Sequence, residues 1–546
     1  MTDARAARLR VLLEDAANAR SIGNLAEAAR IANDASSEGF VHPMLLRFRA
    51  ESLRKAGRLA EAGELLNQAL ALAPRDDATI AEIGRLLMAE DRSDDALEAF
   101  RMAVSLNSAS LESWSALGAA HAGRGELEKA RIAFLRVVDL SPSDPDPLAS
   151  LAFIETREGR MDAARAWAEK ALVLQPGHPL AELALARIEV DGGQFESARD
   201  RLQNLLDADN LNRAQRQIAM NLLGDSLDGL EQHAGAFAMY SQMKAEFVAT
   251  HSKRYGDGGP VENHVAFIRR LQDWFASQDM ADWSSKSSRY VSPVRRHVFL
   301  LGYLRSGVTL VESILASLEG AVVVEEGSTL AAADLAFLRD AESLSRLNPL
   351  DHGLAEQARA AYWKRAREEA GEIGERTFVD MSPLYGIKLP MIARLFPDAI
   401  VVQCRRDPRD VVLSCFRRNF NPNALTYQLT SLEGIARHYD AAMTATEFNL
   451  DRLRLPVHVV EYSRMVGDFD AATHALAEFV GVPWSNDVRN FSATAARRRI
   501  RTPSASQVRR GLFDGTGQWR KYSAEMAPVM PVLESWVRKF GYDEHN

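Results

Sequence analysis

His297-Val-Phe-Leu-Leu301, Gly302-Tyr-Leu-Arg-Ser-Gly-Val-Thr309 and Leu310–Leu318 follow one another without a gap, and their reading decides the fold of the second half of the chain. The first segment is a short apolar run, which predicts a buried strand. The last is apolar at helical spacing. Between them lies a turn with glycines at 302 and 307. A turn that leaves a strand and opens a helix presents unpaired backbone N–H groups and the positive end of the helix dipole, which suits a phosphate-like anion. The spacing Gly-x4-Gly-x-Thr is that of a nucleotide-binding loop, with Val308 where its Lys should stand. That disfavours an ordinary ATPase or nucleotide kinase and leaves Arg305 as the positive charge of the loop.

The same texture returns a hundred residues on. Ala399-Ile-Val-Val-Gln-Cys404 predicts a second strand, preceded by the helix Gly386–Phe396 and Pro397. Arg405-Arg-Asp-Pro-Arg-Asp-Val-Val-Leu-Ser414 follows it. Arg406 leaves the strand, and Ser414 lies about two turns along the next helix. A guanidinium fork and a hydroxyl together can hold one phosphate. Without a ligand the same residues read as a solvated charge cluster at a helix start. Strand–turn–helix units in series predict an α/β domain with a parallel sheet.

Toward the N-terminus the chain repeats. Ala28, Ala62, Ala96, Ala130, Ala164 and Ala198 are each 34 residues apart. Gly23, Gly57, Asp91, Gly125, Gly159 and Gly193 keep the same step five residues earlier. Pro74, Ser108, Pro142, Pro176 and Asn210 form a third series, and the small residues Ala50, Gly84, Gly118, Ala152 and Ala186 a fourth. A pair of packed helices explains all four. The small residue lets the second helix approach, the Gly turns the chain with positive φ, the Ala faces the first helix, and the Pro or polar residue ends the pair. Trp114-Ser-Ala-Leu-Gly118, with Ala130, resembles the tetratricopeptide repeat. Six repeats are readable across residues 8–212, and a seventh, drifted, through Gly229 to Tyr240. The resemblance implies an all-α superhelix whose groove binds a peptide or partner protein; a scaffold without such a groove function is the plainer reading. This half carries no nucleophile–base pair and no metal spacing. Regularity stops near Phe247, and His251–Pro260 is rich in turn residues. The expected division is therefore a repeat domain at 1–245, a connector at 246–295 and a second domain at 296–546.

Composition agrees with a folded protein of several domains. The chain has 546 residues, 47% hydrophobic and 26% charged, with a net charge of −8, which argues against a general nucleic-acid coat. Cys404 and Cys415 are its two cysteines, too few for a disulfide framework or a zinc site. No apolar run approaches the ~20 residues that span a bilayer, and the N-terminus lacks the apolar stretch of a signal peptide. A cytoplasmic protein with no membrane or nucleic-acid partner and no metal is the expectation.

The two anion-binding segments together resemble the 3′-phosphoadenylyl-sulfate-dependent sulfotransferases, and the whole chain resembles the bacterial branch that joins tetratricopeptide repeats to a domain similar to tyrosylprotein sulfotransferase. In that family the first loop reads Pro-Arg-Ser-Gly-Thr-Thr. Leu304-Arg-Ser-Gly-Val-Thr309 stands there, so the resemblance implies that Arg305, Ser306, Gly307, Val308 and Thr309 cradle the phosphosulfate. It implies that Arg406 and Ser414, eight residues apart, hold the 3′-phosphate. It implies that Tyr462, after the strand Val457–Glu461, meets the adenine, and that Gln507-Val-Arg-Arg-Gly511 closes over the cosubstrate through Arg509, Arg510 and Gly511. The family's general base falls on Glu326, with Glu325 beside it; an attacking hydroxyl must lose its proton, and a carboxylate can take it. The family's Asp-Lys-x-Pro reads Asp380-Met-Ser-Pro383, so the Lys is absent, and Lys388 is the nearest replacement in sequence. The reading implied is sulfuryl transfer to an acceptor hydroxyl of a tyrosine, a glycan or a metabolite. The alternative is an interaction scaffold whose second domain binds nucleotide with little or no turnover.

Overall fold

The computed structural model describes residues 3–90, 92–208, 210–283, 290–498 and 504–542. From Asp3 to Tyr255 the described chain is helix after helix, paired through short turns. The recurrent alanines Ala28, Ala62, Ala96, Ala130, Ala164 and Ala198 are all buried. Gly23, Gly57, Gly125, Gly159 and Gly193 all have φ between 67° and 79°, the left-handed turn that the series predicts. Asp91 lies outside the described residues. At the small positions the approach is close enough to forbid a side chain. A Cβ at Gly84 would lie 2.5 Å from the Phe100 ring, and one at Gly118 would lie 3.0 Å from that of Phe134.

The seventh repeat keeps this logic with a shift of four residues. Its first helix, Arg213–Gly229, has 17 residues where Leu111–Gly123 has 13. The small position becomes Gly224, which faces the ring of Tyr240; the turn becomes Glu231 at φ 60°, and the buried alanine becomes Ala236. One extra turn of helix accounts for the drift.

By compactness the chain forms two units, Met1–Ile188 and Glu189–Asn546, divided within the helix Pro179–Asp191. The first is repeat helices alone. The second carries a five-stranded sheet: β1 (Arg296–Leu301), β2 (Ala321–Glu325), β3 (Thr377–Met381), β4 (Ile400–Arg405) and β5 (Val457–Glu461). Their order is β2-β3-β1-β4-β5, and every pairing is parallel. Such a sheet needs cover on both faces. Phe299, Leu301, Phe378 and Val401 face one core. Val298, Leu300, Val379, Met381 and Val402 face the other. The helix His264–Ala276, in the stretch expected as a connector, buries Leu271 and Phe275 in the first of these cores.

The second unit also holds the last repeat, which is tied to the chain just past the helix Pro408–Phe416. Asn221 donates to the Arg417 carbonyl at 2.7 Å, and Lys244 donates to that of Arg418 at 2.7 Å. Phe237 stacks on Phe416 at 5.0 Å. Arg417 pairs with Asp228 at 2.5 Å, and Arg418 pairs with Asp225 at 3.3 Å. These groups are mostly withdrawn from water, where removing one member of a pair costs about 3–5 kcal/mol.

A fragment that starts at Glu189 should unfold cooperatively near the intact unit's Tm, whereas one that starts at Arg296 should melt well below it or aggregate. Comparable melting of the two fragments in calorimetry would show the last repeat to be dispensable. Burial also pushes the Lys244 ammonium down to about 7, against ~10.4 in an unfolded chain. The unfolded state then holds the extra proton between those values, so this group makes stability rise with pH across that window. Lys244→Met should flatten the rise in urea midpoint between pH 7 and 9.

Candidate functional site

The loop after β1 is shaped by its own hydroxyl. Ser306 donates to the Tyr303 carbonyl at 2.7 Å and accepts from the Tyr303 amide at 3.2 Å, so this buried side chain braces the turn. Gly302 must be glycine, because a Cβ there would lie 2.5 Å from the Ser306 hydroxyl and 2.8 Å from the Cys404 carbonyl. Arg305 takes φ 68° and Gly307 φ 98°. A left-handed arginine is unusual and marks a loop held by its surroundings. Gly307 caps the helix Val308–Ala316 without a side chain, at the positive end of the helix dipole.

The Arg305 side chain crosses to two other segments. Its Nε donates to Ser414 Oγ at 2.9 Å, one terminal nitrogen donates to Ser504, and the other donates to Gln507 at 2.6 Å. Arg406 returns the link, donating to the Arg305 carbonyl at 3.1 Å and to the Gly515 carbonyl. It lies 4.9 Å over the Tyr462 ring, and Tyr462 donates its hydroxyl to the Phe513 carbonyl. Asp410, on the helix Pro408–Phe416, accepts the amides of Gly517 at 2.8 Å and Trp519 at 2.9 Å. Four segments distant in sequence, with Asp228 of the last repeat, thus meet around a cavity of about 160 Å³.

Arg305, Arg406, Arg417 and Arg418 line that cavity, against Asp228 and Asp410. Burial and the charges of Arg418 and Arg406 pull the Arg305 guanidinium down to about 9. Burial is the larger cause and the neighbouring cations add to it, so the charge of Arg305 is disfavoured where it stands. An anion offsets this.

Gly307, Thr309, Ser414, Tyr462 and Gly511 line the same cavity. Ser306 braces the loop instead, and Val308 is buried in the core behind it. Arg509 ends the short helix Ala505–Arg509, and Arg510 donates outward to the Asp191 carbonyl at 3.4 Å; neither lines the cavity. Arg417, Arg418, Gln507 and Asp228 line it or reach it without having been singled out as ligands from the sequence. The adjacent arginines three and four residues past Ser414 were the available signal.

Glu326 stands exposed just past β2, at φ 44°, outside the cavity lining, and its amide donates to the Met381 carbonyl at 2.8 Å. Glu325 is buried and in register with Met381. The turn after them is anchored from below: Thr329 donates to Asp380 at 2.6 Å, and Tyr362 and Tyr385 donate to the same carboxylate. Burial pushes the Asp380 carboxyl up to about 6, although these hydrogen bonds oppose the rise. Met381 is fully buried among Leu300, Val379 and Val308. Lys388 donates to Asp334 at 2.7 Å.

Comparison with known proteins agrees with this architecture. Residues 297–486 match the sulfotransferase family, and residues 82–145 and 183–247 match the tetratricopeptide repeat. Over 275 residues, 45% of this chain, it is 24% identical to an uncharacterized protein of Aquifex aeolicus (strain VF5) and spans 33% of that protein's length. Among solved structures, PilF of Pseudomonas aeruginosa is 17% identical with a TM-score of 0.32, over 39% of this chain and 97% of that one. The Cut9–Hcn1 hetero-tetramer of APC/C is 16% identical with a TM-score of 0.36, over 42% of this chain and 45% of that one. The chain carries tetratricopeptide repeats in its N-terminal half and a sulfotransferase-family domain behind them. Among the described residues no helix is long and apolar enough to cross a membrane.

The burial of Met381 decides what replacing it does. Met381→Lys should lower stability by roughly 3 kcal/mol or more, as an unpaired charge enters a core. A urea midpoint equal to that of the wild type would show that the side chain reaches solvent or the cavity.

Proposed function

We propose that the sulfotransferase-family domain transfers a sulfuryl group from 3′-phosphoadenylyl sulfate to an acceptor hydroxyl. The observation that carries this reading is the cavity where the loop after β1 and the helix after β4 meet, with more guanidinium than carboxylate groups on its wall. Two phosphate-bearing ends of one nucleotide suit two loops that Arg305 and Ser414 join at 2.9 Å. In this reading Arg305, Thr309 and the first-turn amides hold the phosphosulfate. Arg406 and Ser414, with Arg418 beside them, hold the 3′-phosphate, and the Tyr462 ring borders the base. Ser306 and Gly307 act through the shape of the loop. Arg509 and Arg510 act through the segment that Ser504 and Gln507 pin to Arg305.

The acceptor oxygen attacks sulfur as the bond from sulfur to the 5′-phosphate oxygen breaks. Adenosine 3′,5′-bisphosphate leaves, and Glu326 takes the acceptor proton. Its turn is steadied by Thr329 on Asp380. Preorganised cations around the leaving oxygens stabilise charge as it develops. The repeats select the acceptor, a protein or peptide among the candidates. The free, buried Cys404 and Cys415 suit a cytoplasmic, reducing site of action.

Two observations favour the scaffold alternative, the first being that Glu326 stands outside the cavity lining. Neither Met381, in the core, nor Lys388, paired with Asp334, lines the cavity where the family's lysine would assist transfer. Turnover separates the two readings. Adenosine 3′,5′-bisphosphate should raise the Tm more than ADP does; an equal shift, or a larger one with Mg-ATP, counts against the donor assignment. With radiolabelled sulfate donor and cell lysate, the wild type should label an acceptor. Glu326→Gln should slow that labelling by ~10²–10⁴ with nucleotide binding intact. Wild-type rates in this variant would remove Glu326 as the base, and tight binding with no labelling by any variant would favour the scaffold.

A further inference from the structure

Asp228 is out of character with the rest of the cavity wall. It comes from the last repeat, on the helix Arg213–Gly229, and puts a carboxylate among the arginines of an anion site. One oxygen accepts from Arg417 at 2.5 Å, and the other accepts from the Tyr522 hydroxyl at 2.5 Å. His233 lies 3.4 Å from it, and Asp225, one turn earlier, takes Arg418. Burial works against its charge, but Arg417, Tyr522 and Lys521 outweigh that and hold the carboxyl below the usual range. It is therefore an anion resident in a cavity built for one. A phosphate that enters meets its repulsion and finds Arg417 already engaged.

We propose that Asp228 is a resident counter-ion of the anion site: without ligand it neutralises Arg417, and a bound phosphate group takes Arg417 from it, so that occupancy of the site loosens the hold on the last repeat. The backbone ties from Asn221 and Lys244 and the stack of Phe237 on Phe416 do not involve the Arg417 guanidinium. They keep the repeat docked while the side chain changes partner. Coupling of this kind is reciprocal. A partner that draws the helix Arg213–Gly229 away from Arg417 tightens the ligand, and the ligand weakens that helix's attachment. The inference rests on the reading of the cavity as a phosphate site but not on sulfuryl transfer.

The test uses the full chain. Binding of adenosine 3′,5′-bisphosphate and of inorganic pyrophosphate is measured by calorimetry for the wild type, Asp228→Asn and a control outside the cavity lining, Asp470→Asn, whose partner is Arg489. Asparagine keeps the shape and the acceptor oxygen and removes one like charge, so Asp228→Asn should bind about tenfold tighter, with the control unchanged. Amide hydrogen exchange across residues 213–229 of the wild type should speed up on ligand binding, a readout that needs no variant. Unchanged or weaker binding in Asp228→Asn, or equal or slower exchange in that helix, overturns the proposal. Failure of both probes to bind any form overturns it as well. Pyrophosphate tightened by Asp228→Asn, with no binding of the bisphosphate, would uphold the counter-ion and reject the nucleotide reading.

Discussion

The second unit is organised around four cations crowded on one cavity. Arg305, Arg406, Arg417 and Arg418 converge on one cavity with Asp228 and Asp410 as its acidic groups. Close approach of guanidinium groups away from water is unfavourable unless something negative stands between them. The structure meets that demand in pieces. Ser414, Ser504 and Gln507 accept from Arg305, backbone carbonyls accept from Arg406, and the last repeat supplies carboxylates to Arg417 and Arg418. Each of these links also joins segments far apart in the chain. The electrostatic requirement of the site and the cohesion of the unit are thus one set of bonds.

This gives the repeats two roles. Those in Met1–Ile188 form a helical array stabilised by neighbour on neighbour, as solenoids are. The last repeat is built by the same rules but spends its polar residues on the domain. Asn221, Asp225, Asp228 and Lys244 sit on its helices, and their partners are Arg417 and Arg418. Its extra helical turn shifts the Gly–Ala–turn pattern by four residues. The departure from the period and the departure in function fall on the same element.

The sheet explains why the polar loop residues gather at one end. In a parallel sheet every strand delivers its C-terminal residues to the same edge, where the following turns can meet. β1 leads to Arg305, β4 to Arg406 and β5 to Tyr462. β2 leads to Glu326, two places from β1 in the sheet order. Strand alternation also accounts for Met381. It is in register with Leu300 of β1 and Glu325 of β2, on a face that packs against Val308 and Val311, so an apolar side chain is what that position accommodates.

The helical repeat, the strand–turn–helix units and the cavity residues Arg305, Gly307, Thr309, Arg406 and Ser414 were legible in the amino-acid sequence, because each is a local pattern. Period, glycine placement and the order strand, loop, helix act over a few residues and need no distant partner. What the sequence did not disclose depends on contacts between residues far apart. Arg417 and Asp228 are 189 positions apart, and no spacing rule joins them. Ser306 braces its loop, Met381 faces a core and Arg510 points away from the cavity for the same reason. A side chain's type limits what it can do, but its neighbours in space choose among those uses. The sequence alone determined which elements form and which segments carry an anion-binding pattern; the tertiary structure decided which cations share one cavity and that a repeat helix supplies carboxylates to Arg417 and Arg418.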